Sequence, residues 1–90
     1  MNELDSLRVK IEEVDQEILL LFEKRMEIIW KISQYKKFHN VAVVDLDRET
    51  TLINKYSKSL KNKDLSIYYH ELLATFLKIS KDYQKELLIK

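Results

Sequence analysis

The sequence contains no glycine, no proline and no cysteine among its 90 residues. An average chain of this length would carry about eleven glycines and prolines, the residues that form hairpins and tight turns. Their absence predicts an all-α fold with few connections. The absence of cysteine excludes a disulfide framework and thiolate chemistry. Because the sequence also has only two histidines, His39 and His70, which lie far apart, no structural metal site is expected.

A strong charge of one sign and a long apolar run are lacking as well. The net charge is +1, from 16 basic and 15 acidic residues, far from the composition of a nucleic-acid-binding protein. No run of about 18 apolar residues occurs, so no membrane span is expected. The first residues, MNELDSLR, do not resemble a signal peptide, and a cytoplasmic protein is therefore the expectation. The length predicts a single domain, 1–90, of marginal stability as one copy.

Helical periodicity is what the sequence does contain. Apolar residues at 3,4 spacing predict one long helix, followed by two shorter ones. Asn40 is expected to follow the first helix in a left-handed conformation, and Asp45 or Asp47 is expected to cap the second. The stretch SKSLKNKD is expected to be a polar loop. The expected bounds are 3–38 for the first helix, up to about residue 58 for the second, and about 64–88 for the third.

The first helix is too long for a compact domain of this size. About 36 residues span roughly 54 Å, whereas a compact domain of about 90 residues has a diameter near roughly 30 Å. The apolar seam runs along the whole helix, so one chain cannot cover it. The sequence therefore predicts a symmetric homodimer with antiparallel first helices.

Arg25 interrupts that seam. A buried charge is costly unless something satisfies it, so either a carboxylate lies opposite Arg25 or the site receives an anion. A polar residue that only fixes the register of the seam is the plainer alternative. The other seam positions are apolar or aromatic: Leu4, Leu7, Ile11, Val14, Ile18, Leu21, Ile28, Ile32 and Tyr35.

Further polar residues lie on faces that converge with Arg25. Lys36 follows eleven residues later and about 20° round the axis, so its long side chain shares a face with Arg25. Ser80 and Gln84 share one face of the third helix, at the edge of its apolar stripe. Taken singly, Lys36 also suits a surface lysine that compensates the helix dipole, and Ser80 and Gln84 suit ordinary residues at the edge of the stripe. Together they favour a binding site. The apolar floor between the two cations is expected to consist of Ile28, Ile29 and Ile32.

The segment DLDRE and Arg8 extend this set. Asp45, Arg48 and Glu49 share one face at the start of the second helix, where two carboxylates and a guanidinium can bind a hydroxyl while holding each other in place. A cap with a salt bridge is the plainer alternative. Arg8 lies about 25 Å from Arg25 along the helix, so it reaches such a pocket only from the second chain of an antiparallel dimer.

These segments together resemble the all-helical chorismate mutases from about residue 4 to residue 87. The matching strings are LRVKIEEVDQEILLLFEKR, a lysine eleven residues after its last arginine, VVDLDRE and SKDYQ. The resemblance implies three helices per chain in an intertwined homodimer, with two sites that each include one arginine of the partner. It implies rearrangement of chorismate to prephenate, an isomerase reaction of Phe and Tyr biosynthesis that needs no cofactor and no metal.

The resemblance also implies roles for the residues around the substrate's carboxylates and ether oxygen. Arg25 and Arg8 of the partner subunit would each hold a carboxylate, and Ser80 would contact the ring carboxylate. Lys36 would bridge a carboxylate and the ether oxygen. Gln84 would donate to that same oxygen, where negative charge grows as the C–O bond breaks.

At the ring hydroxyl, the resemblance assigns Glu49, with Asp45, as the acceptor, and Arg48 as the motif arginine beside it. The chain departs from the family pattern in two places. The first connector, HNVAVVD, has no glycine or proline, and Lys81 follows Ser80 where an apolar or small residue is expected. Lys81 either perturbs the pocket edge or extends its ammonium away from it.

Three alternatives stay open from the sequence. An isochorismate pyruvate-lyase would share the fold, although such relatives tend to lack the acidic residue at the position of Glu49. An aminodeoxychorismate mutase would differ only in substrate. A non-catalytic helical dimerisation or regulatory module would not need the complete polar set.

Overall fold

The computed structural model describes residues 2–89, which form three α-helices and no strand. The predicted all-α fold, with one long and two shorter helices, is therefore confirmed for this part of the chain. The ends of the predicted domain, Met1 and Lys90, lie outside the described residues. Within residues 2–89, no helix is both long and apolar enough to cross a membrane. The helices are α1, Glu3–Phe38; α2, Leu46–Ser59; and α3, Ser66–Leu88.

The ends of α1 and the start of α2 follow from capping residues. The Asn2 side chain accepts a hydrogen bond from the Asp5 N–H at 2.8 Å and caps α1. Beyond the other end, Asn40 takes the left-handed conformation predicted for it, with φ of 55°. Of the two predicted caps for α2, Asp45 is the one used, because its Oδ1 accepts from the Arg48 N–H at 3.0 Å.

The connection between α2 and α3 lies close to where the sequence predicted it. α2 ends at Ser59, one residue beyond the expected bound, so only the first three residues of the stretch SKSLKNKD are α-helical. Lys63 stabilises this end of α2, because its Nζ donates to the carbonyl oxygens of Ser57 and Lys58, at 3.1 Å each. A 3₁₀ turn, Lys63–Leu65, then leads into α3, which begins at Ser66 rather than near Asp64.

The helices pack around α3, which contacts both α1 and α2. The buried hydrophobic residues of the described chain are Ile29, Leu73 and Leu77. The radius of gyration is 16.7 Å, and the longest dimension is 56 Å. A compact chain of this length has a radius of gyration near about 12 Å. All residues from 6 to 24 of α1 are exposed, so this chain leaves the N-terminal half of its own apolar seam uncovered.

Candidate functional site

The three helices enclose a cavity of about 370 Å³, a size typical of small-molecule sites. Every predicted site residue except Arg8 lines it. The apolar part of the wall includes Ile29 and Ile32, as predicted, whereas Ile28 lines a neighbouring cavity. Lys81, which the sequence analysis placed near the pocket edge, lines the wall as well. Sequence reasoning missed the rest of the wall, which the connector, α2 and α3 bring together only in the folded chain. The missed residues are Val43, Leu52 and Leu77.

Arg25 is half-buried and its guanidinium is held by α3. Its Nη1 donates to the Ser80 hydroxyl at 2.6 Å, and its Cζ lies 5.4 Å from the centroid of the Phe76 ring. Burial lowers the pKa of the Arg25 guanidinium from its ordinary value, because desolvation disfavours the charged form. Within residues 2–89, no carboxylate forms an ion pair with Arg25. Of the two alternatives for this buried charge, the geometry therefore favours a site that receives an anion.

Ser80 positions that guanidinium. Its hydroxyl oxygen accepts from Arg25, and its proton is donated to the Phe76 carbonyl oxygen at 2.9 Å. Because a serine hydroxyl has a single proton, this pair of bonds directs the oxygen lone pairs towards Arg25. Ser80 is buried, so its bond to the guanidinium is sheltered from water.

Gln84, one turn beyond Ser80 on α3, is also buried at the cavity wall. Its side-chain oxygen, Oε1, has no hydrogen-bond partner in the described part of the chain. A buried polar atom without a partner costs roughly 1–3 kcal/mol, so such atoms are rare in native proteins. The Gln84 Oε1 is therefore an acceptor that the described residues leave unsatisfied.

Lys36 lies at the opposite wall, where α1 ends. It is half-buried, and its Nζ donates to the Val43 carbonyl oxygen at 3.1 Å. The Val41 N–H donates back to the Lys36 carbonyl oxygen at 2.8 Å. These two bonds fold the connector over the end of α1 and hold the ammonium at the cavity. The alternative of a freely solvated lysine that only compensates the helix dipole does not match this geometry.

The start of α2 supplies the carboxylates. Glu49 Oε1 lies 2.9 Å from the Lys81 ammonium of α3. The sequence had suggested that Arg48 and the two carboxylates would hold each other in place, but the ion pair that Glu49 forms within residues 2–89 is with Lys81. Arg48 itself lines the cavity. Of the two alternatives for Lys81, the structure therefore contradicts an ammonium that extends away from the pocket edge. The signal in the sequence was a lysine in place of an apolar residue, with the carboxylate of Glu49 available to pair with it.

Arg8 lies outside the cavity. Its side chain is exposed, and its Nη1 is 3.9 Å from Asp5 Oδ1 on the same turn of α1. Because α1 is one continuous helix, Arg8 stays about 25 Å from Arg25 within a chain. The structure of one chain therefore separates Arg8 from the other predicted site residues.

Asp45 has a structural role that can be tested apart from any activity. Since its carboxylate caps α2, we expect Asp45→Ala to lower the free energy of unfolding by about 1 kcal/mol. Asp45→Asn keeps the capping oxygen and should unfold within a few tenths of a kcal/mol of the unaltered protein. Urea unfolding followed by circular dichroism, at one protein concentration, measures both. Equal midpoints for the Ala variant and the unaltered chain would contradict the capping role.

Most of the chain is similar to one known protein family. The family model for chorismate mutase type II matches residues 7–85. A bifunctional chorismate mutase/prephenate dehydratase of Buchnera aphidicola subsp. Schizaphis graminum is 31% identical over 90 residues, which are 99% of this chain and 23% of the relative. The protein of the same name from Buchnera aphidicola subsp. Acyrthosiphon pisum is 32% identical, with the same coverage. The chain thus spans about a quarter of the length of these curated relatives. No solved structure matches the chain significantly.

Proposed function

The chain belongs to the chorismate mutase type II family, and we propose that it catalyses the rearrangement of chorismate to prephenate in the biosynthesis of Phe and Tyr. One observation carries this proposal. Arg25, a half-buried cation with no carboxylate partner in residues 2–89, lines the same cavity as Lys36 and the buried Gln84. Such a cavity suits a small dianion that carries a further acceptor between its two carboxylates.

The reaction determines which groups the site has to supply. It is a pericyclic step within one molecule, and it requires neither a nucleophile nor a proton transfer. The flexible substrate has to be held in its compact, reactive conformation. Two arginines that each bind one carboxylate do this, and holding the reacting atoms in place contributes several kcal/mol to the lowering of the barrier. In our proposal these are Arg25 and Arg8 of the partner subunit.

Lys36 and Gln84 act on the ether oxygen. As the C–O bond breaks, negative charge grows on this oxygen, so fixed donors aimed at it stabilise the transition state more than the ground state. The Lys36 ammonium is held at the wall by a neutral carbonyl, that of Val43, and exchanges that bond for stronger ones to the substrate's oxygens. Gln84 donates from its carboxamide Nε2, and its burial keeps water from competing for the oxygen.

The other end of the substrate carries the ring hydroxyl. Glu49 accepts a hydrogen bond from this hydroxyl, and Asp45 and Arg48 line the same wall. One oxygen of Asp45 is already bound to the Arg48 N–H as the helix cap, which makes Glu49 the principal acceptor. Ser80 directs Arg25 and, by turning its hydroxyl away from the helix carbonyl, contacts the ring carboxylate.

The assembly proposed for residues 1–90 is a single domain in an intertwined homodimer with antiparallel α1 helices. Two observations support it. All residues from 6 to 24 of α1 are exposed, although the seam is apolar, and few hydrophobic side chains of residues 2–89 are buried. Arg8 lies about 25 Å from Arg25 along its own helix, so an antiparallel partner is the arrangement that brings it to a site.

The proposal is tested by incubating the purified protein with chorismate and following prephenate by chromatography. We expect chorismate to be lost far faster than in buffer, in proportion to protein concentration, and equally well with a chelator present. A parallel incubation with isochorismate should release no pyruvate. Loss of chorismate at the uncatalysed rate would contradict the proposed function, and pyruvate release would favour the lyase instead.

A further inference from the structure

The ion pair between Lys81 and Glu49 differs from the other ion pairs of residues 2–89. Its two side chains are 31% and 17% exposed, whereas each of the others has both side chains about half exposed or more. The pair joins α3 to the start of α2, and both residues line the cavity. A sheltered pair holds its geometry better than a solvated one, because water and salt screen it less. The proposed function gives Lys81 no role.

The ion pair changes which ligand groups bind at the end of the cavity that carries Asp45 and Glu49. Two carboxylates line the cavity, and each already has a positive or donor group on one oxygen: Asp45 Oδ1 binds the Arg48 N–H, and Glu49 Oε1 binds Lys81. An unpaired glutamate accepts from a hydroxyl or an ammonium and favours the ammonium, because opposite charges attract. With the Lys81 ammonium beside it, the carboxylate still accepts a hydrogen bond but has little charge left to attract a second cation.

We propose that Lys81 is a specificity-determining residue that makes the cavity accept a ring hydroxyl and disfavour an ammonium in its place. This inference rests on the proposed function, in which Glu49 accepts that hydroxyl. A group hydrogen-bonded to the other oxygen of Glu49 lies roughly 5–7 Å from the Lys81 ammonium. At that range, in a sheltered site, a cationic group on the ligand is repelled while a neutral hydroxyl is not.

The test compares two substrates that differ at this one group: chorismate and 4-amino-4-deoxychorismate. The preference is the kcat/KM for chorismate divided by that for the amino compound, at pH about 6, where an aliphatic amine is protonated. We expect Lys81→Met, which keeps the length of the side chain and removes its charge, to lower this preference by about tenfold or more. Lys81→Arg keeps the charge and should retain the preference within about threefold.

Lys78 provides a matched control on the same helix. Its ammonium pairs with Asp82 at 2.6 Å, its side chain is 74% exposed, and it does not line the cavity. Lys78→Met therefore removes one charge and one ion pair from α3 without touching the site, and we expect the substrate preference to stay unchanged. Lys81→Gln serves as a second charge-removing variant should the methionine variant fold poorly, as judged by circular dichroism.

The outcomes separate this inference from the proposed function. If the unaltered protein binds the amino compound without converting it, the inhibition constant against chorismate replaces kcat/KM in the ratio. A purely structural role for Lys81 would lower activity on both substrates equally and leave the ratio unchanged, which would overturn the inference alone. Protein that converts no chorismate at all would overturn the proposed function, and this inference with it.

Discussion

Lys36→Ala is expected to lower kcat/KM for chorismate by about 10³-fold, mostly through kcat, because it removes a fixed donor from the oxygen on which charge develops. Lys36 reaches the cavity from the last turn of α1 and is held there by the Val43 carbonyl. Its contribution to the ground state is smaller, since the ether oxygen carries little charge before the bond breaks. Steady-state kinetics of the purified variant measures the effect.

Lys37 provides the control for that variant. It is the next residue along the same helix end, it is exposed, and it does not line the cavity. Lys37→Ala removes the same charge from the helix terminus, so an effect through the helix dipole would appear equally in both variants. We expect Lys37→Ala to keep kcat/KM within about twofold. A folded Lys36→Ala protein that retained near-normal kcat would contradict the assignment of Lys36.

The Lys36–Val43 bond also holds the connector in place, so Lys36→Ala has a structural effect besides the loss of a donor. Loss of the lysine also releases the connector between α1 and α2, and a loosened wall would weaken substrate binding. That effect appears in KM, whereas loss of transition-state stabilisation appears in kcat. Lys36→Met, which retains most of the apolar stem, limits the structural change. A rise in KM with kcat unchanged in both variants would therefore contradict the role of Lys36 at the ether oxygen.

The helices were predictable because local signals agreed along the chain. The 3,4 spacing and the terminal residues of α1 predicted its bounds, Glu3–Phe38, to the residue. The cap of α2 stayed open between two aspartates, because both precede the same apolar face and only packing selects Asp45. The end of α2 was predicted within one residue, but the contact that stabilises it was not: Lys63 folds back onto carbonyl oxygens of the last turn, and no periodicity encodes such a contact.

The parts of the site that could be predicted are those in which two side chains lie on the same face of one helix. Arg25 and Lys36 share a face of α1, and Ser80 and Gln84 share a face of α3, so angle alone places them. Contacts between α2 and α3 depend on the packing angle and are not readable from spacing. The ion pair between Lys81 and Glu49 is of this kind, and it replaced the expected pairing with Arg48. The homodimer and the contribution of Arg8 remain predictions.

Arg8→Ala and Arg25→Ala are each expected to lower kcat/KM by about 10³-fold or more, and a mixture of the two chains should regain part of the activity. In the proposed dimer, each site combines Arg25 of one chain with Arg8 of the other. A hybrid of the two variants therefore has one site with both arginines and one site with neither. Random pairing of equal amounts would restore about a quarter of the normal activity per chain.

The experiment requires exchange of interlocked chains, so the two variants are unfolded together in denaturant and refolded before the assay. The matched control mixes Arg25→Ala with a chain that carries both substitutions, because no combination of these two chains has a complete site. Recovery in the first mixture but not in the second would show that the arginines act across the interface. Equal activity in both mixtures would mean that Arg8 does not serve the partner's cavity. The distance of about 25 Å within one chain already argues against a role for Arg8 in its own.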